Sequence, residues 1–288
     1  MQPLPNVALM KTPLVAVCTC ISLLFMGFQV AQAEPEATQM IERAGHKLAF
    51  HVTPGHPPII VLDAGGGLDS SYWNSLVAPL AGETGSEIIT YDRSGFGRSD
   101  EVKGPWSLRS ATEDLAAGLS KLGATRDVIL VAHSLAGEIA TLLVREHPKW
   151  IVGAVLVDAN VPEFFTDQEI TRQQLLYAPV IAKLHEAPPT QESRQLLAVA
   201  QSFPETSRAF HQMTWPHTIP VDVIVSAKTP FDNPADARAW REAHAEFAAR
   251  ADNRQLIIAD NSSHDVAHDR PDVIVKAIHG MIAKVRRP

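Results

Sequence analysis

Short apolar runs punctuate the chain at Leu48–Thr53, Pro58–Ala64, Glu87–Asp92, Val128–His133, Ala154–Ala159, Val221–Ala227 and Gln255–Asp260. Most are continuous Val/Ile/Leu stretches and not apolar–polar alternations. A strand whose side chains are apolar on both sides has both faces buried, as in a parallel sheet covered from two directions. Between the runs the pattern becomes helical, at Ser70–Ala81, Leu108–Leu122, Leu135–His147, Pro234–Ala251 and Pro271–Val285. This alternation predicts an α/β fold: a mostly parallel central sheet with helices on both faces. One segment breaks it. Residues 160–219 carry no strand run, are helical in pattern, and are split by Pro188-Pro189. An insertion of that kind between two strands, over the sheet's C-terminal edge, is placed to act as a helical cap. Its apolar side chains include Phe164, Phe165, Leu175, Leu176, Tyr177, Phe203, Phe210, Met213 and Trp215. They are expected to pack the cap onto the core and also to wall a pocket.

The beginning of the chain reads differently. Lys11 precedes an apolar run from Pro13 to Val30 that ends at Ala31-Gln32-Ala33. Small residues at the first and third places before a cut suit signal peptidase, so residues 1–33 read as a signal peptide and 34–288 as the mature domain. A retained anchor is the alternative, but the run falls short of the ~20 apolar residues of a spanning helix. Export then points to a bacterial periplasm or the medium, with no stable membrane anchor after cleavage. Both cysteines, Cys18 and Cys20, lie in the removable segment. The mature chain is therefore expected to have no disulfide and no cysteine-based metal site. With 24 basic and 32 acidic residues, its net charge is 24 − 32 = −8. That balance argues against nucleic acid or an anionic membrane as a partner.

Four segments carry candidate chemistry. In Val131-Ala132-His133-Ser134-Leu135-Ala136-Gly137 a buried strand runs into a helix. A serine on that turn is lifted clear of the sheet beside a helix N-terminus, which favours negative charge. Small residues are required on either side, and here they are Ala132 and Ala136, where glycine is usual. An ordinary serine helix cap is the simpler alternative. In Val61-Leu62-Asp63-Ala64-Gly65-Gly66-Gly67 a glycine-rich turn follows a strand. Backbone N–H groups can approach a substrate oxygen there, so the N–H groups of Gly66 and Leu135 form the expected oxyanion hole. A phosphate loop is the alternative, but no lysine follows. The third segment, Tyr91 to Asp100, reads as structural support in which Asp92 and Arg93 bond backbone. In the fourth, Asp260-Asn261-Ser262-Ser263-His264-Asp265, a loop after the last strand presents His264 to the same sheet edge. His268 is its rival.

Together, in this order, these segments resemble the α/β-hydrolase superfamily from about His46 onward. Asp92–Ser99 resembles that superfamily's Asp-x-Arg-Gly-x-Gly-x-Ser loop, with both glycines kept as Gly95 and Gly97 and Ser94 in place of the arginine. Ala64-Gly65-Gly66 resembles its His-Gly-x motif, with Ala64 replacing histidine. The resemblance implies a Ser–His–acid triad of Ser134, His264 and a carboxylate. The usual acid position, after strand Val221–Ser226, reads Ala227-Lys228-Thr229-Pro230, and Thr229 cannot serve. Asp158, at the end of the preceding strand, is the favoured replacement, with Asp232 as the alternative acid and Asp265 behind both. A serine nucleophile excludes the members that use aspartate there, such as haloalkane dehalogenases.

The expected activity is a serine carboxyl-ester hydrolase acting through an acyl-enzyme on a small-molecule acyl substrate with an apolar acyl group. No metal and no organic cofactor is implied. Amide, lactone or C–C bond hydrolysis, acyl transfer, and a non-catalytic binding protein on the same scaffold stay open as alternatives.

Overall fold

The computed structural model describes residues 37–286, so the signal peptide read at residues 1–33 lies outside the described residues. One eight-stranded sheet runs in the order β1-β2-β4-β3-β5-β6-β7-β8. Its strands are β1 (Ala37–Arg43), β2 (His46–Thr53), β3 (His56–Asp63), β4 (Ser86–Tyr91), β5 (Val128–His133), β6 (Ile151–Val157), β7 (Val221–Ser226) and β8 (Arg254–Ala259). The pairs β1–β2 and β2–β4 are antiparallel, and all others are parallel.

The helices are α1 (Asn74–Thr84), α2 (Leu108–Leu122), α3 (Ala136–Glu146), α4 (Asp167–Glu186), α5 (Gln191–His211), α6 (Pro234–Ala249), α7 (Val266–Asp269) and α8 (Pro271–Val285). Alternate strand residues divide between two cores. Val128, Leu130 and Ala132 of β5 join the core built with Leu115, Ile139 and Trp240 from α2, α3 and α6. Ile129 and Val131 join the core built with Leu76 and Ile278 from α1 and α8. The period of two along each strand thus feeds helices on both faces, which is why these strands read as unbroken apolar runs. Each fully buried Leu, Ile or Phe contributes roughly 1.5–3 kcal/mol by leaving water.

Local chemistry sets the ends of the helices. Ser107 caps α2 by accepting from the Ser110 N–H, and Gly123 closes it in the left-handed region at φ 76°. Asn233 caps α6, and Pro234 takes its first position. Two differences from the sequence pattern stand out. The sequence pattern does not mark β1, because only Ile41 of its seven residues is buried and it forms the edge of the sheet. The apolar run of β8 predicted burial on both faces, yet Ile258 is 49% exposed, because β8 is the opposite edge.

The insertion between β6 and β7 contains α4 and α5, separated at Pro188-Pro189 and restarted by a Thr190–Ser193 capping box. Its apolar side chains divide. Phe164, Phe165, Phe210 and Trp215 are buried in the core, whereas Leu175 and Leu176 of α4 are exposed.

Candidate active site

The loops at the C-terminal ends of β3, β5, β6 and β8 converge on Ser134. The turn from β5 into α3 places Ser134 at φ 53°, a left-handed conformation that is uncommon for a side chain of this kind. The turn is held from below: the Ser134 carbonyl accepts from the N–H groups of Gly137 (3.0 Å) and Asn160 (2.8 Å). Ala132 and Ala136 are buried. The position that tolerates no side chain is Gly137, where a Cβ would run into the Asn160 carbonyl oxygen. The close approach thus falls one residue beyond the place the sequence pattern indicates.

No side chain caps α3, whose N-terminal flanking residue is Leu135. The first N–H groups of an uncapped helix are unsatisfied and point out along its axis. Among the described residues the N–H of Leu135 has no hydrogen-bond partner, and neither has that of Gly66. These two residues touch: a Cβ on Gly66 would lie 3.4 Å from the Leu135 side chain. A Cβ on Gly65 would lie 2.7 Å from His133 Nδ1 and 3.2 Å from Ser134 Cβ. Gly65 therefore lets this backbone lie directly against His133 and Ser134, and Gly66 lies against Leu135.

Arg93 fixes the turn's orientation. Its guanidinium donates to Asp63 Oδ1 (2.6 Å) and to the carbonyls of Ala64 and Gly65. In a trans peptide the C=O and the following N–H point in opposite directions. Holding the Gly65 carbonyl toward Arg93 therefore turns the Gly66 N–H away from it. Asp92 braces the same region, accepting from the N–H groups of Ser70 and Arg98, each at 2.9 Å.

His264 Nε2 lies 3.0 Å from Ser134 Oγ, and His264 Nδ1 lies 2.7 Å from Asp158 Oδ2. Asp158 follows β6 at φ 43° and is fully buried. Its Oδ1 accepts from the Ser226 N–H (3.0 Å) and Trp240 Nε1 (2.9 Å), and its Oδ2 also accepts from Ser226 Oγ (2.7 Å). Burial by itself would raise the Asp158 pKa. The hydrogen bond and charge of His264, with His244 and Trp240, outweigh it and hold the carboxyl below its ordinary value. Because the carboxylate only accepts, His264 carries its proton on Nδ1, which leaves the Nε2 lone pair facing Ser134. Asp232 is exposed and does not bond His264, and Thr229 turns its hydroxyl onto the Phe231 carbonyl. His268 pairs instead with Asp265 at 2.7 Å, on the surface.

Two further side chains that the sequence pattern does not mark complete the site. His133 donates from Nε2 to the His264 carbonyl at 3.0 Å and stacks on Tyr72 with ring centres 4.6 Å apart. Burial and the neighbouring His264 push the His133 pKa down to about 3, so it stays neutral and anchors the histidine loop. Glu138, in the first turn of α3, is only 2% exposed, and its Oε1 accepts from Asn160 Nδ2 at 2.7 Å. Burial pushes its pKa up to about 7, against the pull of Asn160.

Above Ser134 opens a cavity of about 720 Å³, within the range of small-molecule sites. Its floor includes Gly66, Ser134, Leu135, Glu138 and Asn160. Its walls come from α4, including Tyr177 and Ile181, and from α5, including Leu196 and Phe203.

Comparison with known proteins bears on residues 60–277, which match the model of the Alpha/beta hydrolase family. An uncharacterised protein of Bacillus subtilis, YqjL, is 25% identical over 228 residues, covering 76% of this chain and 81% of its own. A thermophilic esterase from Thermogutta terrifontis superposes with a TM-score of 0.58 at 18% identity, covering 88% of this chain and 99% of that one. A mutant haloalkane dehalogenase from Agrobacterium tumefaciens superposes with a TM-score of 0.65 at 17% identity, covering 88% and 98%.

Proposed function

Because this chain belongs to the alpha/beta hydrolase family, we propose that it is a serine hydrolase that cleaves a carboxyl ester through an acyl-enzyme. The observation that carries this reading is the unbroken chain of hydrogen bonds from Ser134 Oγ through His264 to Asp158, at 3.0 and 2.7 Å, on the floor of a largely apolar cavity.

The ester carbonyl carbon sits over Ser134 Oγ. His264 Nε2 takes the hydroxyl proton as Oγ attacks, and Asp158 stabilises the imidazolium that results. The oxygen of the tetrahedral intermediate takes up negative charge and accepts from the N–H groups of Gly66 and Leu135. Neither donor has a partner to give up among the described residues, so they are pre-organised for the transition state. Arg93 keeps the first of them aimed. His264 then returns the proton to the leaving alcohol. In the second half, water takes the place of the alcohol, His264 accepts its proton, and the acid is released with Ser134 restored.

The apolar walls from α4 and α5 suit an aliphatic acyl or alcohol group, and the acidic net charge of −7 gives no support to a polyanionic substrate. The segment at residues 1–33 would place the reaction in the periplasm or the medium. The test is turnover of a series of p-nitrophenyl esters of increasing acyl length by the purified protein. We expect saturable hydrolysis with an optimum at one chain length. Absence of turnover across the series contradicts the ester assignment.

A further inference from the structure

Among the described residues, a buried ionisable group that the mechanism does not use lies in the wall of the cavity. Glu138 follows Ser134 by four residues and lines the same cavity. Only one of its carboxyl oxygens is occupied, by Asn160 Nδ2, and among the described residues Oε2 has no hydrogen-bond partner. Among the described residues no lysine or arginine lines the cavity. The other ionisable side chains on its wall are Tyr177 and His185, both from α4, while α5 contributes only apolar residues such as Leu196 and Phe203.

A carboxyl in such a place is costly to ionise, since burial penalises its charged form and only the Asn160 hydrogen bond works against that. A purely structural role would not require it. Glutamine fills the same volume and would accept from Asn160 Nδ2 through the same oxygen, without the cost of ionisation. There is also a catalytic objection. A negative charge about one helical turn from Ser134 opposes the negative charge that builds on the substrate oxygen during attack. A cation bound beside Glu138 removes both difficulties. It pairs the buried carboxylate and neutralises its field at the oxyanion.

We infer that Glu138 recognises an ammonium group on the substrate, so that the cavity selects amphiphilic esters carrying a protonated amine on an aliphatic chain. The apolar walls hold the chain, and Glu138 with Asn160 holds the amine's N–H donors. Glu138 is thus a specificity-determining residue. It rests on the reading of Ser134 as the nucleophile in this cavity.

The experiment compares matched pairs of esters of equal chain length, one ending in an ammonium and the other in a methyl group, with the variable end on the acyl or on the alcohol side. Hydrogen bonds to charged groups are worth about 1.5–3 kcal/mol, so the wild-type protein should prefer the ammonium ester about 10- to 100-fold in kcat/KM on one side, mostly through KM. In Glu138→Gln that ratio should fall to near one, whatever happens to the absolute rates. A loss of fold would lower both esters alike and leave the ratio standing. An equal ratio in wild type and variant, or a wild-type preference for the methyl ester on both sides, overturns the inference while leaving the hydrolase reading intact. A second measurement needs neither turnover nor a variant. Hexylammonium should raise the melting temperature of the wild-type protein more than hexanol does. If no ester is hydrolysed but the ammonium shift appears, the hydrolase reading fails and recognition by Glu138 survives. If hexylammonium stabilises no more than hexanol, the inference fails.

Discussion

Ser134→Ala should lower kcat for the best p-nitrophenyl ester by about 10⁴- to 10⁶-fold, with little change in KM. The substitution removes only Oγ. The cavity, the Gly66 and Leu135 donors and the His264–Asp158 pair all remain, so substrate still binds but no acyl-enzyme forms. The left-handed backbone at Ser134 (φ 53°) is as demanding for alanine as for serine, so loss of activity should occur in folded protein. Circular dichroism and the melting temperature check that point. Activity near the wild-type level would remove Ser134 from the mechanism.

The second large effect concerns the acid. Asp158→Asn should cost about 10⁴-fold in kcat, the scale seen when an amide replaces the carboxylate of such a triad. The amide cannot stabilise an imidazolium. It can also present its own N–H to His264 Nδ1, which forces the proton onto Nε2, where it faces Ser134 Oγ. Asp158 also accepts from Ser226 and Trp240 in a site closed to solvent, so the variant should melt at a lower temperature as well. Asp232→Asn should leave both turnover and stability unchanged, because Asp232 is exposed. If Asp232→Asn abolished activity while Asp158→Asn kept it, the acid would have to be moved to the loop after β7.

The contrast between these two aspartates shows what the chain discloses and what it hides. Strand ends and their order are legible, because buried strands leave continuous apolar runs that stop where the site begins. That is how Ser134, Asp158 and His264 are marked as residues at one sheet edge. The partners that decide between Asp158 and Asp232 are not legible. Ser226 reads as the last residue of a strand and Trp240 as a core aromatic of α6, yet both bond the Asp158 carboxylate. Hydrogen bonds between residues 82 apart in sequence leave no periodic trace. Glu138 is hidden for the opposite reason. A glutamate in the first turn of a helix is ordinary, since the helix dipole favours it there. Only the packing of α3 against the loop after β6 reveals that it is buried in the cavity. Edge strands mislead in a third way. The mixed sequence of β1 offers no run, and β8 offers a run that one exposed face does not need.

The proposed activation of Ser134 by His264 and Asp158 is open to a direct chemical test. A fluorophosphonate reacts with an activated serine and stays attached, so its target can be read directly. The intact mass of the labelled protein, followed by peptide mapping, should show a single adduct on Ser134 in the wild type. It should show none in Ser134→Ala and strongly slowed labelling in Asp158→Asn. No adduct on the folded wild-type protein, or an adduct on a residue other than Ser134, would contradict the account.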